Sequence, residues 1–293
     1  MLVTGSLGFI GQEICSHLER NSFDVVRLAR KRYDASQHIL EWDLGNDTDI
    51  ESLSKAIGSV DAVVHTAAQI EIRNGDLGDM LRSNCGGTDQ VCKVAKACGA
   101  TKLVFLSSIQ VLKPSINRLR EDSEIKPASI YHATKLTGEY ILQSSAGNNL
   151  DVIIFRVTSP VGKNMDEGKI FRRFVENSSA GKKILIYGDG SRVQNYVHVN
   201  DISEAVRKGL MSNATGIYNL GGLESLSNLE LAKRCITVLE SESKIGFAGC
   251  SDPEAGIHWN VSSELAAKEL GYSPKMSIDA SIVDIAANTK SLK

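Results

Sequence analysis

The chain has 293 residues, 42% of them hydrophobic and 23% charged, which is ordinary for a globular protein of one large domain or two modest ones. Its formal net charge of -2 comes from acids and bases mixed along the sequence, so nothing indicates nucleic acid or an anionic membrane as a partner. No apolar run is long enough to span a bilayer, and the N-terminus lacks a secretory signal pattern, so we expect a cytoplasmic protein.

The cysteines and histidines are scattered. The six cysteines contain no Cys-x-x-Cys pair, and the six histidines contain no His-x-x-x-His pair. This spacing fits neither a zinc site nor a disulfide framework. We therefore expect no metal site, and we expect reduced thiols that pack as small apolar side chains.

The chain opens with the pattern of a strand, a glycine-rich turn and a helix. Residues 1–4 are typical of the end of a strand, the segment TGSLGFIG places Gly5, Gly8 and Gly11 three residues apart, and residues 9–20 continue as a helix. Glycines let the backbone turn sharply and approach a pyrophosphate, whose charge meets the free N–H groups at the start of the helix. The pattern favours a nucleotide site over a merely tight turn.

Short apolar runs and helical patterns then alternate. The runs predict buried strands at residues 25–28, 62–64, 103–106 and 152–155. Apolar residues at helical spacing from Val91 to Cys98 predict a helix that ends at Gly99, and residues 135–142 predict another. This alternation predicts an α/β fold with a parallel sheet covered on both faces.

The alternation becomes irregular after Pro160. Short strands are predicted at residues 183–187 and 216–220, among glycine-rich turns. The change indicates a smaller C-terminal lobe.

The segment YHATK places a phenol and an ammonium four residues apart, at Tyr131 and Lys135. Positions i and i+4 of a helix lie on the same face, so the two polar ends can converge on one point. The spacing is therefore compatible with proton transfer.

The glycine opening, the Tyr-x-x-x-Lys spacing and the serine pair Ser107–Ser108 together resemble the short-chain dehydrogenase/reductase superfamily. The longer C-terminal part resembles its extended branch of sugar-nucleotide epimerases and dehydratases. Five further segments agree in order and spacing: WDL at 42–44, HTAA at 65–68, NCGGT at 84–88, YVHVND at 196–201 and GIYNLGG at 216–222. The resemblance runs over nearly the whole chain.

This resemblance implies a Rossmann-type doubly wound parallel sheet with a smaller C-terminal substrate-binding lobe. The coenzyme domain would comprise residues 1–159. Residues 160–293 would mainly form the substrate lobe, with segments around 194–222 returning to the coenzyme domain. A homodimer joined by the helices around Val91 and Leu136 is also implied.

The resemblance further implies roles for individual residues. Tyr131 would be the acid/base, Lys135 would lower its pKa and hold the nicotinamide ribose, and Ser108 would bind the reacting oxygen with support from Ser107. A fixed ammonium favours the ionised phenol, so we expect the pKa of Tyr131 to fall from ~10 toward the working pH. The implied coenzyme contacts are Gly5, Gly8, Phe9, Ile10, Gly11, Asp43, Leu44, Ala67, Asn84, Tyr131 and Lys135.

Coenzyme choice is argued from the end of the second strand, where a carboxylate would bind the ribose 2'-hydroxyl of NAD. Ala29 stands there, and Arg30, Lys31 and Arg32 follow. Arginine binds a phosphate through two hydrogen bonds, so Arg30 favours NADP over NAD. The alternative is a basic surface exposed to solvent.

The expected substrate contacts are Ser108, Ser159, Arg192 and Gln194. Family epimerases have Asn at the place of Ser159 and a phosphate-binding arginine at the place of Gln194. Either another cation replaces the missing charge, or the substrate has a different phosphate group or none. The candidate replacements are Arg192, Lys163, Arg172 and Arg173.

The sequence thus favours an enzyme that transfers hydride at a sugar carbinol, as sugar-nucleotide epimerases and dehydratases do. An NADPH-dependent reductase of a keto-sugar or another carbonyl compound is the alternative. A coenzyme sensor without catalysis is a third hypothesis. The intact set of Ser108, Tyr131 and Lys135 argues against it, because a sensor needs no proton transfer.

Overall fold

The computed structural model describes residues 1–30, 39–72, 76–147 and 149–290. The strands are β1 (Leu2–Thr4), β2 (Val26–Ala29), β3 (Ile39–Glu41), β4 (Ala62–His65), β5 (Lys102–Ser108), β6 (Ser115–Leu119), β7 (Asp151–Val157), β8 (Ser159–Val161), β9 (Ile184–Ile186), β10 (Val193–His198), β11 (Gly216–Leu220), β12 (Ser225–Ser227), β13 (Ile245–Phe247) and β14 (Trp259–Val261). The helices are α1 (Phe9–Arg20), α2 (Ile50–Ile57), α3 (Leu77–Leu81), α4 (Gly87–Ala97), α5 (Ile130–Ser145), α6 (Ile170–Ser179), α7 (Val199–Met211), α8 (Asn228–Val238), α9 (Glu264–Leu270) and α10 (Ile278–Lys290).

Seven parallel strands form the central sheet in the order β11-β7-β5-β4-β1-β2-β3. The strand order reverses between β1 and β4, which is the topological switch point of a doubly wound sheet. Ligands bind such sheets beside the carboxyl ends of the strands at this point. The predicted Rossmann-type sheet is confirmed, and so are the four strands predicted within it.

Alternate residues of the strands pack on opposite faces of the sheet. Val3 and Val64 lie in the core that faces α1 and α7, whereas Leu2 and Val63 lie in the core that faces α2, α4 and α5. All four side chains are fully buried. Burial of each such side chain contributes about 1.5 to 3 kcal/mol, and together these two cores fix the ends of the strands relative to the helices.

A third core lies beside the sheet. It joins α6, α8 and α10 with strands of the two small sheets β12-β10-β8 and β13-β9, and Phe9 at the start of α1 packs against it. Within residues 194–222, β10 belongs to the three-stranded sheet, whereas α7 packs on α1 and β11 pairs with β7 in the central sheet. The strands predicted at 183–187 and 216–220 are confirmed as β9 and β11.

Across the described ranges of the chain, every helix is too short or too polar to cross a membrane.

Candidate active site

Helix α5 and strand β5 bring the predicted catalytic residues to neighbouring elements. Ser129 caps the start of α5, so that Tyr131 lies in its first turn and Lys135 lies one turn later. Lys135 Nζ donates a hydrogen bond of 2.7 Å to the carbonyl of Leu106 and lies 4.6 Å from the centre of the Phe105 ring. The helix thereby holds its ammonium against β5, the strand that ends at the predicted residue 108.

Burial dominates the protonation of both helix residues. It lowers the pKa of Lys135 to about 7, an effect that the carboxylate of Glu139 opposes. It raises the pKa of Tyr131 to about 12. The prediction that Lys135 brings the pKa of Tyr131 down is therefore wrong for the structure described, because the contacts of the ammonium go to β5 and burial disfavours the phenolate.

Ser108, the last residue of β5, is half-buried. Its Oγ accepts a hydrogen bond of 3.2 Å from the backbone N–H of Gln110 and so caps the short 3-10 turn Ile109–Val111. The hydroxyl hydrogen of Ser108 remains available to donate to another group.

A buried ion pair lies one turn beyond Lys135, and sequence reasoning missed it. Arg156 on β7 donates to the carboxylate of Glu139 on α5 at 2.7 Å, and each side chain is 2% exposed. Ser107 Oγ donates to the same carboxylate. A charged residue inside the apolar run of β7 was the signal that could have revealed the pair, because a buried arginine requires a partner.

His65, at the end of β4, is buried and neutral. Thr88 Oγ1 donates to the carbonyl of Asn84, so it accepts from His65 Nε2 at 3.1 Å, and His65 Nδ1 accepts from Thr4 Oγ1 at 2.7 Å. Burial and the nearby charge of Lys135 lower the pKa of His65 to about 3. These bonds fix the ends of β1 and β4, where the strand order reverses.

Asn84, a predicted coenzyme contact, is buried in the π-helical turn Arg82–Gly86. Its side chain accepts from Gln69 N at 2.7 Å and donates to Gln69 O and Thr134 Oγ1, both at 2.9 Å. The amide therefore ties the loop after β4 to helix α5.

The glycine turn has the backbone shape that a pyrophosphate requires. Gly5 has a φ of +66°, and a Cβ there would lie 2.7 Å from Ala67 N, while a Cβ on Gly11 would lie 2.1 Å from Gly5 O. Among the described residues no side chain caps α1 at Gly8, and its first turn carries no acid. The amides of the predicted residues Phe9 and Ile10 thus open a helix that a bound anion can cap, so these residues fit a nicotinamide coenzyme.

The predicted coenzyme contacts Arg30, Asp43 and Leu44 lie beside β2 and β3. Asp43 is exposed and accepts from Asn46 at 2.9 Å, and Leu44 is half-buried and packs against the core. Arg30 is exposed directly after β2. Lys31 and Arg32 lie outside the described residues. Glu41 on β3 stands in register with Ala29, so a carboxylate lies one strand away from the expected position.

Two predicted substrate residues contact each other. Ser159 Oγ donates to Gln194 Oε1 at 3.1 Å across the neighbouring strands β8 and β10. Arg192 is held differently, by ion pairs with Asp252 at 3.3 Å and with Glu254.

A cavity of about 200 Å³ lies between α6 and β9, with Arg192 at its edge. Arg173, Lys183 and the half-exposed Tyr187 also line it. Neither Arg173 nor Lys183 forms an ion pair with an acid in the part of the chain that the structure describes. The stem of Lys183 lies over Gly246, where a Cβ would meet its Cε at 2.1 Å.

The other two candidate cations do not line this cavity. Arg172 pairs with Glu176 at 2.7 Å, and Lys163 lines a second cavity, of about 220 Å³, beside His198.

His132 lies beside Tyr131 on helix α5. Its ring lies 5.0 Å from the ring of Tyr131, centre to centre. Burial lowers the pKa of His132 to about 4, and the charge of Glu254 opposes that shift. Glu254 also pairs with Arg192, which lines the cavity.

Comparison with known proteins identifies the family of the chain. The profile of the family described as "NAD dependent epimerase/dehydratase family" matches residues 1–221. A dTDP-glucose 4,6-dehydratase of Streptomyces niveus is 25% identical over 97% of this chain and 90% of its own length. A putative UDP-glucose 4-epimerase of Methanocaldococcus jannaschii is 26% identical over 96% of this chain and 95% of its own.

A solved structure shares the fold over its whole length. The UDP-glucuronic acid 4-epimerase of Bacillus cereus, in complex with UDP-glucuronic acid and NAD, superposes with a TM-score of 0.85 at 23% identity, covering 100% of this chain and 99% of that one. The chain is an enzyme with a nicotinamide coenzyme, and it belongs to the NAD dependent epimerase/dehydratase family.

Proposed function

We propose that the protein epimerises a sugar nucleotide at a carbinol held beside Tyr131. The observation that carries the proposal is the cavity lined by Arg173, Lys183 and Tyr187. Two cations without acidic partners among the described residues suit a diphosphate, and an aromatic ring beside them suits a base. Residues 160–293 supply this cavity and form the proposed substrate lobe.

The position of the cavity supports a substrate with two ends. The charge of Glu254, the partner of Arg192 at the cavity, acts on His132 beside Tyr131, so the diphosphate end and the reacting sugar are proposed to be held by different elements of one cleft. The Ser159–Gln194 pair adds neutral hydrogen-bonding groups between neighbouring strands. In family epimerases a phosphate-binding arginine stands at the place of Gln194. In this proposal Arg173 and Lys183 supply the missing positive charge.

The side chains divide the chemistry. When bound, the nicotinamide coenzyme supplies a hydride acceptor that returns the hydride later in the same cycle. Ser108 donates a hydrogen bond to the reacting oxygen. Tyr131 takes the hydroxyl proton of the carbinol and returns it to the keto oxygen after the sugar has turned. Tyr131 must be a phenolate before the first of these steps and becomes one again after the second. The charged form of Lys135 on the same helix face favours that phenolate, against the burial that raises the pKa of Tyr131.

Epimerisation is favoured over dehydration by the turn that follows Ser108. Expulsion of a sugar hydroxyl needs a second acid beside the reacting carbon. The next two residues are Ile109 and Gln110, and neither can donate a proton as an acid.

We propose NADP as the preferred coenzyme, because Arg30 follows β2 directly and Ala29 replaces the acid that would repel a 2'-phosphate. The same preference supports the second candidate function, an NADPH-dependent reductase of a keto-sugar or another carbonyl compound. The proposed coenzyme and substrate are cytoplasmic metabolites, so we also propose a cytoplasmic enzyme.

One experiment separates the two functions. The protein is incubated with UDP-, GDP-, CDP- and dTDP-sugars and coenzyme, and products are resolved by chromatography while coenzyme absorbance is followed. We expect an isomerised sugar with no net change in reduced coenzyme, since an epimerase returns its hydride in every cycle. Stoichiometric oxidation of NADPH by a keto compound, without isomerisation of any sugar, would replace the epimerase by the reductase.

A further inference from the structure

Strand β5 presents consecutive residues to one face of helix α5. The ring of Phe105 and the carbonyl of Leu106 both contact the ammonium of Lys135. The next residue, Ser107, donates to Glu139, and Ser108 ends the strand. On the helix, Tyr131, Lys135 and Glu139 are spaced four residues apart and share this face.

The carboxylate of Glu139 is the point where three elements meet. Arg156 on β7 donates to it through Nε at 3.0 Å and through Nη2 at 2.7 Å, and Ser107 on β5 supplies a further donor. Arg156 also donates through Nη1 to the carbonyl of Glu121 at 2.8 Å. The carboxylate therefore has donors on both of its oxygens.

A buried ion pair is weak evidence for stability, because desolvation of the two charges offsets their attraction. Packed apolar residues would stabilise these elements at least as well. The location of Glu139, one turn from Lys135 and bonded to the neighbour of Ser108, indicates a role in the site.

We propose that Glu139 is a positioning residue that keeps Lys135 in its charged form and fixes it relative to the end of strand β5. The proposal rests on and deepens the function proposed above, since it concerns the ammonium that is proposed to favour the phenolate of Tyr131. It predicts a property of Lys135 that is measurable without substrate.

The charges around Lys135 do not all act in one direction. The titratable groups that face Lys135 are Tyr131, His132 and Glu139 on α5, and His65 on β4 across the Phe105 ring. The guanidinium of Arg156 on β7 pairs with Glu139 and opposes the effect of its charge. Both histidines have a pKa far below neutrality, so Glu139 is the anion among them that favours the ammonium. Burial acts in the opposite direction and lowers the pKa of Lys135 to about 7.

The test is a titration of Lys135 by NMR in protein labelled with 13C at the lysine side chains, with Lys135→Met used to assign its signal. The unaltered protein is expected to show a midpoint near 7. In Glu139→Gln, which retains the hydrogen-bonding shape without the charge, the midpoint is expected to fall by about one pH unit or more.

Arg156→Lys is the matched control, because it breaks the two-bonded contact but keeps both charges. It is expected to lower the melting temperature while leaving the Lys135 midpoint in place. If Glu139→Gln does not fold, the double variant Glu139→Gln/Arg156→Met is used, since it removes both buried charges. Its midpoint is also expected to fall, by less than in the single variant, because Glu139 is the charge that raises the pKa of Lys135 and the opposing cation is removed with it.

An unchanged midpoint in the folded variant that lacks the carboxylate, or an equal fall in Arg156→Lys, would overturn the proposal. The titration needs neither coenzyme nor sugar. A shifted midpoint together with inactivity on every sugar nucleotide would therefore refute the proposed function alone.

Discussion

At the scale of single residues, the proposed proton transfer depends on one phenolic oxygen. Tyr131→Phe removes that oxygen and retains the ring that packs beside His132. We expect turnover to fall by at least ~10²-fold in the sugar-nucleotide assay, with coenzyme affinity little changed. Tyr140→Phe is the control, since Tyr140 lies on the same helix and is 56% exposed. Near-normal turnover in Tyr131→Phe would exclude the acid/base role.

Coenzyme preference also depends on a single side chain. Arg30→Ala is expected to weaken NADP binding by about 1.5 to 3 kcal/mol, the range for a hydrogen bond to a charged group, and to leave NAD binding nearly unchanged. Calorimetry with both coenzymes measures this difference, and Arg20→Ala provides a control on an exposed arginine of α1.

The same experiment also tests whether the protein prefers NAD, through a contact between Glu41 and the ribose. If this carboxylate binds the ribose hydroxyl instead, the unaltered protein will prefer NAD, and Glu41→Gln will weaken that binding. Such a result would contradict the NADP proposal.

His65 makes the stability of the protein depend on pH. Its pKa is about 3 in the folded chain and near 6.5 when unfolded, so the unfolded state binds more protons in between. Stability from this group is present above pH 6.5 and is lost as the pH falls toward 3, by up to about 1.4 kcal/mol per unit.

The measurement is urea unfolding at pH 6.5 and pH 4.5 for the unaltered protein and for His65→Asn. The free energy of unfolding is expected to fall by about 2 kcal/mol more in the unaltered protein than in the variant. Equal losses in the two proteins would show that His65 is not held neutral.

At the scale of elements, helix α1 and its turn can be tested with two glycines. A Cβ on Gly11 would lie 2.1 Å from Gly5 O, whereas a Cβ on Gly86, with a φ of -60°, would meet nothing within 4 Å. We expect Gly11→Ala to lower stability by about 1 to 3 kcal/mol and to weaken coenzyme binding more than tenfold. Gly86→Ala is expected to be neutral or slightly stabilising. Similar coenzyme affinities in the two variants would contradict the pyrophosphate role of the turn.

Helices and strands that are determined by their own residues could be predicted from the sequence. The bounds of α1, residues 9–20, follow from the glycines before it and its apolar spacing, and β11 was predicted at its observed residues. The three-residue strands β3 and β8 were not predicted, because pairing with distant strands orders them rather than their own composition.

The candidate site likewise contains residues that could be predicted from local sequence and contacts that could not. Tyr131 and Lys135 belong to one helix and follow from its period. The contacts of Glu139 with Arg156 and of Glu254 with Arg192 join separate elements, and only the fold brings them together. The pKa of Tyr131 was mispredicted for this reason, since burial could not be read from the spacing of the two residues.

At the scale of the whole molecule, β11 joins the edge of the central sheet beside β7, although more than 50 residues separate them. Helix α7 packs on α1 in the same region. The chain thus returns from the proposed substrate lobe to the central sheet, beside the helix that follows the glycine turn.

A homodimer would assemble through the helices around Val91 and Leu136. Val91 is fully buried in the core of its own chain, so a partner would contact the outer face of α5, where Tyr140 is 56% exposed. We expect a homodimer by sedimentation velocity, and we expect Tyr140→Glu to weaken it at least tenfold, because a charge would lose its water in the interface. Met211→Glu is the control, since Met211 is apolar and 67% exposed on α7. A monomer at all concentrations, or dissociation caused by Met211→Glu and not by Tyr140→Glu, would place the interface elsewhere or remove it.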